Sequence, residues 1–383
     1  MRLGLSIIFC LSVWTISAAA QPATSVIETG ETKDAIIARK NAWTVGLISG
    51  QLEGVYPRFA AEMKKVLDDG DELRVMPLLA YGAASNIEDL LYTKGIDIAL
   101  TQSDVLQYFK SVRKIPNIAE RIHYITALYS TEFHLLARPE IKTIQDLAGK
   151  NVILGPMGNS ASLTGSIVFN RLNIKINEQF FDHTTALEKL KSGEAAAVVR
   201  VIGKPAGDAF SSIPKDSGIH FLKISYEQSS NRIFDDIYSL GELTHQDYPN
   251  IIPQGEVIDT ISVTTVLAVY NWPKDTDRLR RVERFTKYFF ERFDRFLAAG
   301  FHPKWKEVNL AAPVPGWTRS RFAEQMLKGV MQADAKKDPR DTALMRAEFS
   351  SFLQNRGQGG VQGSAADALF EEFLSWRERG GSR

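Results

Sequence analysis

Six histidines, His123, His134, His183, His220, His245 and His302, occur in this sequence of 383 residues. No two of them have the i, i+4 spacing that puts a pair of imidazoles on one helical face for a metal. The single cysteine, Cys10, excludes a cysteine-built metal cluster and a disulfide framework alike. Nucleophile signatures are equally thin. Neither a Gly-x-Ser-x-Gly elbow nor a phosphate loop ending in Gly-Lys-Ser/Thr occurs. Ser111 to Lys114 and Ser212 to Lys215 fit Ser-x-x-Lys, without the companion motifs that give it meaning. A hydrolase is therefore the weaker expectation.

What the sequence does repeat is a run of glycine and small polar residues between a β-like stretch and a helical one. The first is Ser49, Gly50, Gln51 and Gly54, the second Gly82, Ala83, Ser85 and Asn86. The third is Gln102, Ser103 and Asp104, and the fourth Gly155, Gly158, Asn159 and Ser160. Each is predicted to lead from the C-terminal end of a strand into the N-terminus of a helix, where backbone N–H groups lack intrahelical partners and carry partial positive charge. One such turn is an ordinary helix cap. Four facing a common cleft suit a carboxylate or another small anion.

Arg200 and Lys204 flank a turn at Gly203 to Pro205, where either is placed to pair with a ligand carboxylate or to stay solvated. Tyr56, Tyr81 and Gln102 are candidates for the cleft wall, Tyr81 equally for the core. No metal or cofactor is expected.

The elements that must position these residues alternate. Thr44 to Ile48 reads as a strand, and Val55, Phe59, Met63, Val66 and Leu67 then recur at helical spacing. Strands are expected at Leu73 to Met76, Ile96 to Leu100, Phe133 to Ala137, Val152 to Leu154 and Ala195 to Val199, with helices between most of them. This order predicts α/β layers on a largely parallel sheet. Ile258 to Tyr270 reads as a return strand. Leu279 through Phe296 keeps a helical beat, and further helices are expected near 318–332 and 341–354.

The first residues read as a secretion signal: Arg2, an apolar run from Leu3 to Ile16, then Ala18, Ala19 and Ala20, with the mature chain starting at Gln21. That run is shorter than the roughly 20 apolar residues a membrane anchor needs. Cys10 inside it would leave with the signal. A formal net charge of +1 gives nucleic acid nothing to hold.

Five segments in order, GLISGQLEGVYPRFAAEM, GAASNIEDL, IDIALTQSDV, TIQDLAGKNVILGPMGNSAS and the Gly203-Lys204-Pro205 turn, resemble the TAXI-type solute receptors of TRAP transporters. The resemblance runs from about Trp43 to about Tyr270. It implies an α/β fold of the periplasmic binding protein type II kind, two lobes joined by crossover strands, with a ligand in the cleft. It implies a small carboxylate-bearing or amino-acid-like solute, TRAP membrane subunits as partners, and a periplasmic, monomeric protein. Two hydroxyl donors of the family pattern are altered, at Ala83 and at Gly158-Asn159, so ligand identity does not carry over.

On this reading residues 1–20 are the signal peptide, 21–42 a lead segment, 43–137 the first part of lobe 1, and 138–257 lobe 2. Residues 258–355 return to lobe 1 and add helices, 356–363 form a glycine-rich linker, and 364–383 carry a last helix and tail. Hinges are expected near Phe133 to Arg138 and Ile258 to Ala268. A sensory or adaptor module is the alternative function.

Overall fold

A computed structural model describes residues 32–52, 54–224, 237–334 and 369. The expected signal peptide, the glycine-rich linker, the 341–354 helix and most of the last helix lie outside the described residues. The chain divides into two compact units, 1–41 and 42–383. Helix α1 (Lys33–Ala42) accounts for most of what is described in the first and buries no residue.

The second unit opens with β1 (Thr44–Ile48), α2 (Val55–Leu67), β2 (Arg74–Leu78), α3 (Ala83–Tyr92) and β3 (Ile98–Gln102). Helices α4 (Val105–Ser111) and α5 (Ile118–Arg121) then lead into β4 (Ile122–Ala137). Next come β5 (Asn151–Ile153), α6 (Ser160–Arg171), β6 (Asn177–Gln179), α7 (His183–Ser192), β7 (Ala197–Ile202) and α8 (Gly207–Phe210). After β8 (His220–Phe221), β9 (Ser239–Thr244) and β10 (Val257–Tyr270) come α9 (Asp277–Glu291) and α10 (Arg321–Asp334). Short 3₁₀ turns lie at Phe293–Leu297 and Pro303–Glu307.

One sheet runs in the order β2-β1-β3-β10-β4-β7-β5-β6. β2, β1 and β3 are parallel, as are β7, β5 and β6, but β10 is antiparallel to β3 and to β4, and β4 to β7. The largely parallel sheet predicted from the alternation therefore holds within each half and fails at the centre. The chain leaves the first half along β4 and returns to it along β10, so the two neighbouring strands run in opposite directions.

Those strands are the crossovers. β4 spans 16 residues, far more than the Phe133 to Ala137 stretch read from sequence. Residues 122–132 of β4 pair with β10, and 132–137 pair with β7. β10 pairs with β9 over 257–262 and with β3 over 265–269, and its register against β4 shifts at Thr264/Val266 and Leu267/Ala268. The handover between halves thus falls at about 130–132 and 262–265. A bulge there bends the strand and raises its local twist.

Each half has cores on both faces of its sheet. Phe133, Leu135 and Ala137 join one cluster and Leu136 another, as period-2 alternation requires of a strand covered on both sides. In the first half, Phe59, Phe289, Phe296 and Trp305 stack into one aromatic core, Phe296 and Trp305 with centroids 4.1 Å apart. Leu163 of α6 packs with Ile87 and Phe109 of the first half, so apolar contact joins the halves beside the cleft.

Candidate functional site

Three of the four small-residue turns meet at one place. The first turn cannot end in a long side chain's clutter, because α2 begins at once: Gly54 is its extended N-cap, and Tyr56 points inward, 7% exposed, its hydroxyl donating to Thr101 O at 3.1 Å. Ser49 N donates to Leu78 O and Ala80 N to Gly50 O, which ties the first turn to the second. Gly82 then takes φ +98°, a conformation that strains L side chains. A Cβ placed there would lie 3.9 Å from Gly50 Cα, 3.9 Å from Tyr56 Cε2 and 4.0 Å from Ser160 Oγ. That last atom belongs to the other half.

From that other half, Asn159 caps α6, its side-chain oxygen accepting from Ser162 N at 2.8 Å, while its amide reaches Gln51 Oε1 at 3.5 Å. Ser85 N donates to Gly158 O at 3.2 Å. The halves therefore touch at the mouth of a cleft.

The cleft holds about 500 Å³ of empty space, open solvent included. Gly50, Gln51, Tyr56, Tyr81 and Gly82 line it from the first half, and Asn159, Ser160, Arg200 and Gly203 from the second. Among its described lining residues Arg200 is the only charged side chain, 9% exposed. The first N–H groups of α6, at Ser160 and Ala161, add partial positive charge beside it.

Seven further residues singled out in the sequence lie off the cleft surface. Asn86 accepts from Gly82 N and donates to Ser49 O and to Leu100 O, so it staples the first two turns from below. Ser49 Oγ is spent on Leu78 O, and Ala83 is fully buried with its carbonyl accepting from Thr101. Gln102 sits beneath the floor, its amide on Thr131 Oγ1 at 3.3 Å, and Ser103 O accepts from the Trp317 indole. Gly158 belongs to the contact with Ser85. Lys204 turns outward to Glu242 O at 2.6 Å and Asp247 at 3.3 Å, while its own N–H donates to Glu132. Arg200 sits in β7 itself and lines the cleft together with Val201 and Ile202.

Lining residues that spacing missed come from strands rather than turns. Tyr129 and Thr131 project from β4 at the handover, and Val201 and Ile202 from β7. An apolar strand residue carries no mark that distinguishes a cleft wall from a core. The polar run Ser130, Thr131 and Glu132 inside a long strand was the one hint of it.

The third turn does something else. Asp104 is fully buried and accepts from Thr164 Oγ1 at 2.8 Å and Tyr238 Oη at 3.0 Å, both in the second half. Burial pushes its carboxyl up to about 6 against those donors. In the second half His134 Nδ1 donates to Glu132 O (2.8 Å) and its Nε2 accepts from Tyr248 Oη (2.6 Å), and burial holds the ring neutral, down to about 3. Beside it Lys304 and Glu132 form a buried ion pair at 3.1 Å, with Lys304 also donating to Ser130 O. Burial still raises the Glu132 carboxyl. A Cβ at Gly203 would meet Lys304 Cε at 2.8 Å, so that stem forms the backing of the pocket. Among the described residues no group of three His, Cys, Asp or Glu side chains could hold a metal ion, and no helix is long and apolar enough to cross a membrane.

Two α/β halves joined by paired crossover strands, with helix N-termini facing the gap, define a periplasmic binding protein type II-like fold. The chain belongs to the NMT1-like family, whose profile matches residues 67–316. No curated protein matches the sequence. Among solved structures, a protein from Bordetella bronchiseptica RB50 is similar at 14% identity and a TM-score of 0.43, over 70% of this chain and 76% of its own. An ancestral arginine-binding protein bound to arginine is similar at 15% identity and a TM-score of 0.41, over 69% and 97%. A substrate binding protein of an amino acid ABC transporter gives 10% and 0.39, over 66% and 97%.

Proposed function

We propose that this protein is an extracytoplasmic receptor that closes two lobes on a small carboxylate-bearing solute and hands it to a TRAP-type membrane transporter. The observation that carries the binding half is the convergence of Gly50, Gly82, Ser160 and Arg200, drawn from both halves of the sheet, on one cleft. A ligand touching both halves favours the closed arrangement by its differential affinity for it. Arg200 supplies a two-point partner for a carboxylate, and the start of α6 adds donors. Binding rather than turnover is supported by the lining itself. No His, Asp or Glu stands among the described lining residues to activate Ser160 or Thr131 as a nucleophile.

Export and transport rest on sequence: the apolar Leu3 to Ile16 run before Ala18 to Ala20, and the five segments that resemble TAXI receptors. The test is a thermal-shift screen of small carboxylates, amino acids and sugars, followed by calorimetry. A solute present at a hundred times its Kd stabilises the fold by about 2.7 kcal/mol. If no carboxylate shifts the melting temperature while a sugar or a neutral solute does, the anion reading fails. Recovery of multi-span membrane subunits with the solute-loaded receptor tests the transport half, and recovery of a signalling protein instead would favour a sensory module.

A further inference from the structure

We infer that the first half carries a second site, apart from the cleft, for a small organic monoanion with an aromatic body. A cavity there holds about 720 Å³ of empty space, open solvent included, against about 500 Å³ for the cleft. It is lined by the start of β4, the end of β10 and the turn after it, α9 and the first residues of α10. The two spaces share no described lining residue. His123 lines this cavity and Thr131 lines the cleft, both on β4. At about 3.3 Å per residue along a strand they stand roughly 26 Å apart.

The wall of this cavity is aromatic and aliphatic. Tyr270 and Trp272 lie with ring centroids 4.5 Å apart, and Phe322 of α10 joins them with Leu279 and Val282 of α9. Three charges border it: Lys274 in the turn after β10, Glu283 of α9 and Arg321 at the start of α10. Among the described residues none of these three side chains forms an ion pair or a hydrogen bond. The neighbouring Arg278 and Arg281 are instead held by Asp97 at 3.5 and 3.7 Å. His123 is half-buried, and burial shifts its ring toward the neutral form. Lys274 and Arg321 against Glu283 leave a net positive charge that a monoanion balances, whereas a zwitterion or a cation does not. The indole N–H of Trp272 is buried and has no acceptor among the described residues. A donor shut away from water without a partner costs free energy, which an anionic oxygen beside it recovers. Charged rims are ordinary on a protein surface, but a concave aromatic wall with an unanswered buried donor is not.

The experiment follows the Trp272 indole N–H resonance of the isotope-labelled full-length chain, identified by its disappearance in Trp272→Phe. The probes are 3-phenylpropanoate, its neutral amide, phenylalanine and acetate. Each is titrated into the wild type and into Arg200→Ala, which sets aside carboxylate binding in the cleft. The resonance is expected to move with 3-phenylpropanoate in both proteins, with an affinity about tenfold or more above that for the other three probes. In Lys274→Gln/Arg321→Gln, checked for an unchanged melting curve, that affinity is expected to fall about tenfold or more. A resonance that stays still overturns the inference, as does movement lost in Arg200→Ala, which places the acid in the cleft instead. Equal affinity for the amide or for phenylalanine overturns the monoanion, and equal affinity for acetate overturns the aromatic body. An unchanged affinity in the double variant overturns the role of the two cations. The cleft reading is tested separately, by calorimetry on wild type and Arg200→Ala.

Discussion

Arg200 and Asp104 show how position decides what a charge does. Arg200 of β7 lines the cleft, so Arg200→Ala is expected to weaken carboxylate binding at least tenfold with little change in melting temperature. Unchanged affinity by calorimetry would remove it from the site. Asp104 is held in a dry contact between the halves, and its carboxyl is raised to about 6 from an ordinary value near 3.9. A raised carboxyl favours the fold while protonated. Its contribution is complete below about pH 4 and is lost as pH rises through 6, to the extent of about 3 kcal/mol. Asp104→Asn keeps an acceptor without the titration. Urea melts at pH 4, 5.5 and 7 should therefore show wild type losing stability relative to that variant as pH rises. His134, depressed by burial, acts oppositely in both proteins and cancels in the comparison.

At the scale of elements, the N-terminus of α6 joins structure to binding, since Asn159 both caps the helix and faces Gln51 across the cleft. Asn159→Ala is expected to cost about 1 kcal/mol, the usual worth of a cap. Asn159→Asp keeps the cap, so denaturation should move by less than about 0.5 kcal/mol, yet carboxylate affinity should fall because a negative charge then faces the solute. Equal anion affinity in the Asp variant would place the headgroup elsewhere. The helix itself was plain in the sequence, with its Asn-Ser start and its apolar positions Leu163, Ile167 and Val168. The length of β4 was not. Its first half, Ile122 to Tyr129, interleaves His, Tyr and Thr with apolar residues, and that pattern fits a strand, a turn or a loop until a neighbouring strand pairs with it.

Across the molecule, the C-terminal stretch reaches back to brace the handover between halves. Lys304, in the turn after α9, is 2% exposed and pairs with Glu132, where β4 passes from β10 to β7. Removing Lys304, which also pairs with Glu307 at 3.0 Å, leaves Glu132 buried without its cation and with the Lys204 N–H as a remaining donor; breaking a buried pair costs about 3–5 kcal/mol, whereas replacing both partners by apolar or neutral groups is often close to neutral. Lys304→Met is therefore expected to destabilise by that amount and Lys304→Met/Glu132→Gln by far less. Chemical denaturation of the single and double variants checks it, and additive losses would show that the pair is not coupled. The aromatic cluster of Phe59, Phe289, Phe296 and Trp305 holds this stretch in place.

Alternating hydrophobicity made the α/β class legible in the sequence alone, and four small-residue turns marked candidates for a cleft, because these are local properties of the chain. Gly50, Gln51, Gly82, Asn159 and Ser160 could be named from that pattern. Which turns reach the cleft was decided only in three dimensions. Asn86, Gln102 and Lys204 have the same chemistry as residues that line it, but each finds a nearer partner, and hydrogen-bonding competition of that kind depends on distances between segments far apart along the chain. The central antiparallel pair, the interlobe role of Asp104 and the Lys304–Glu132 contact, 172 residues apart, likewise exist only once the sheet has closed.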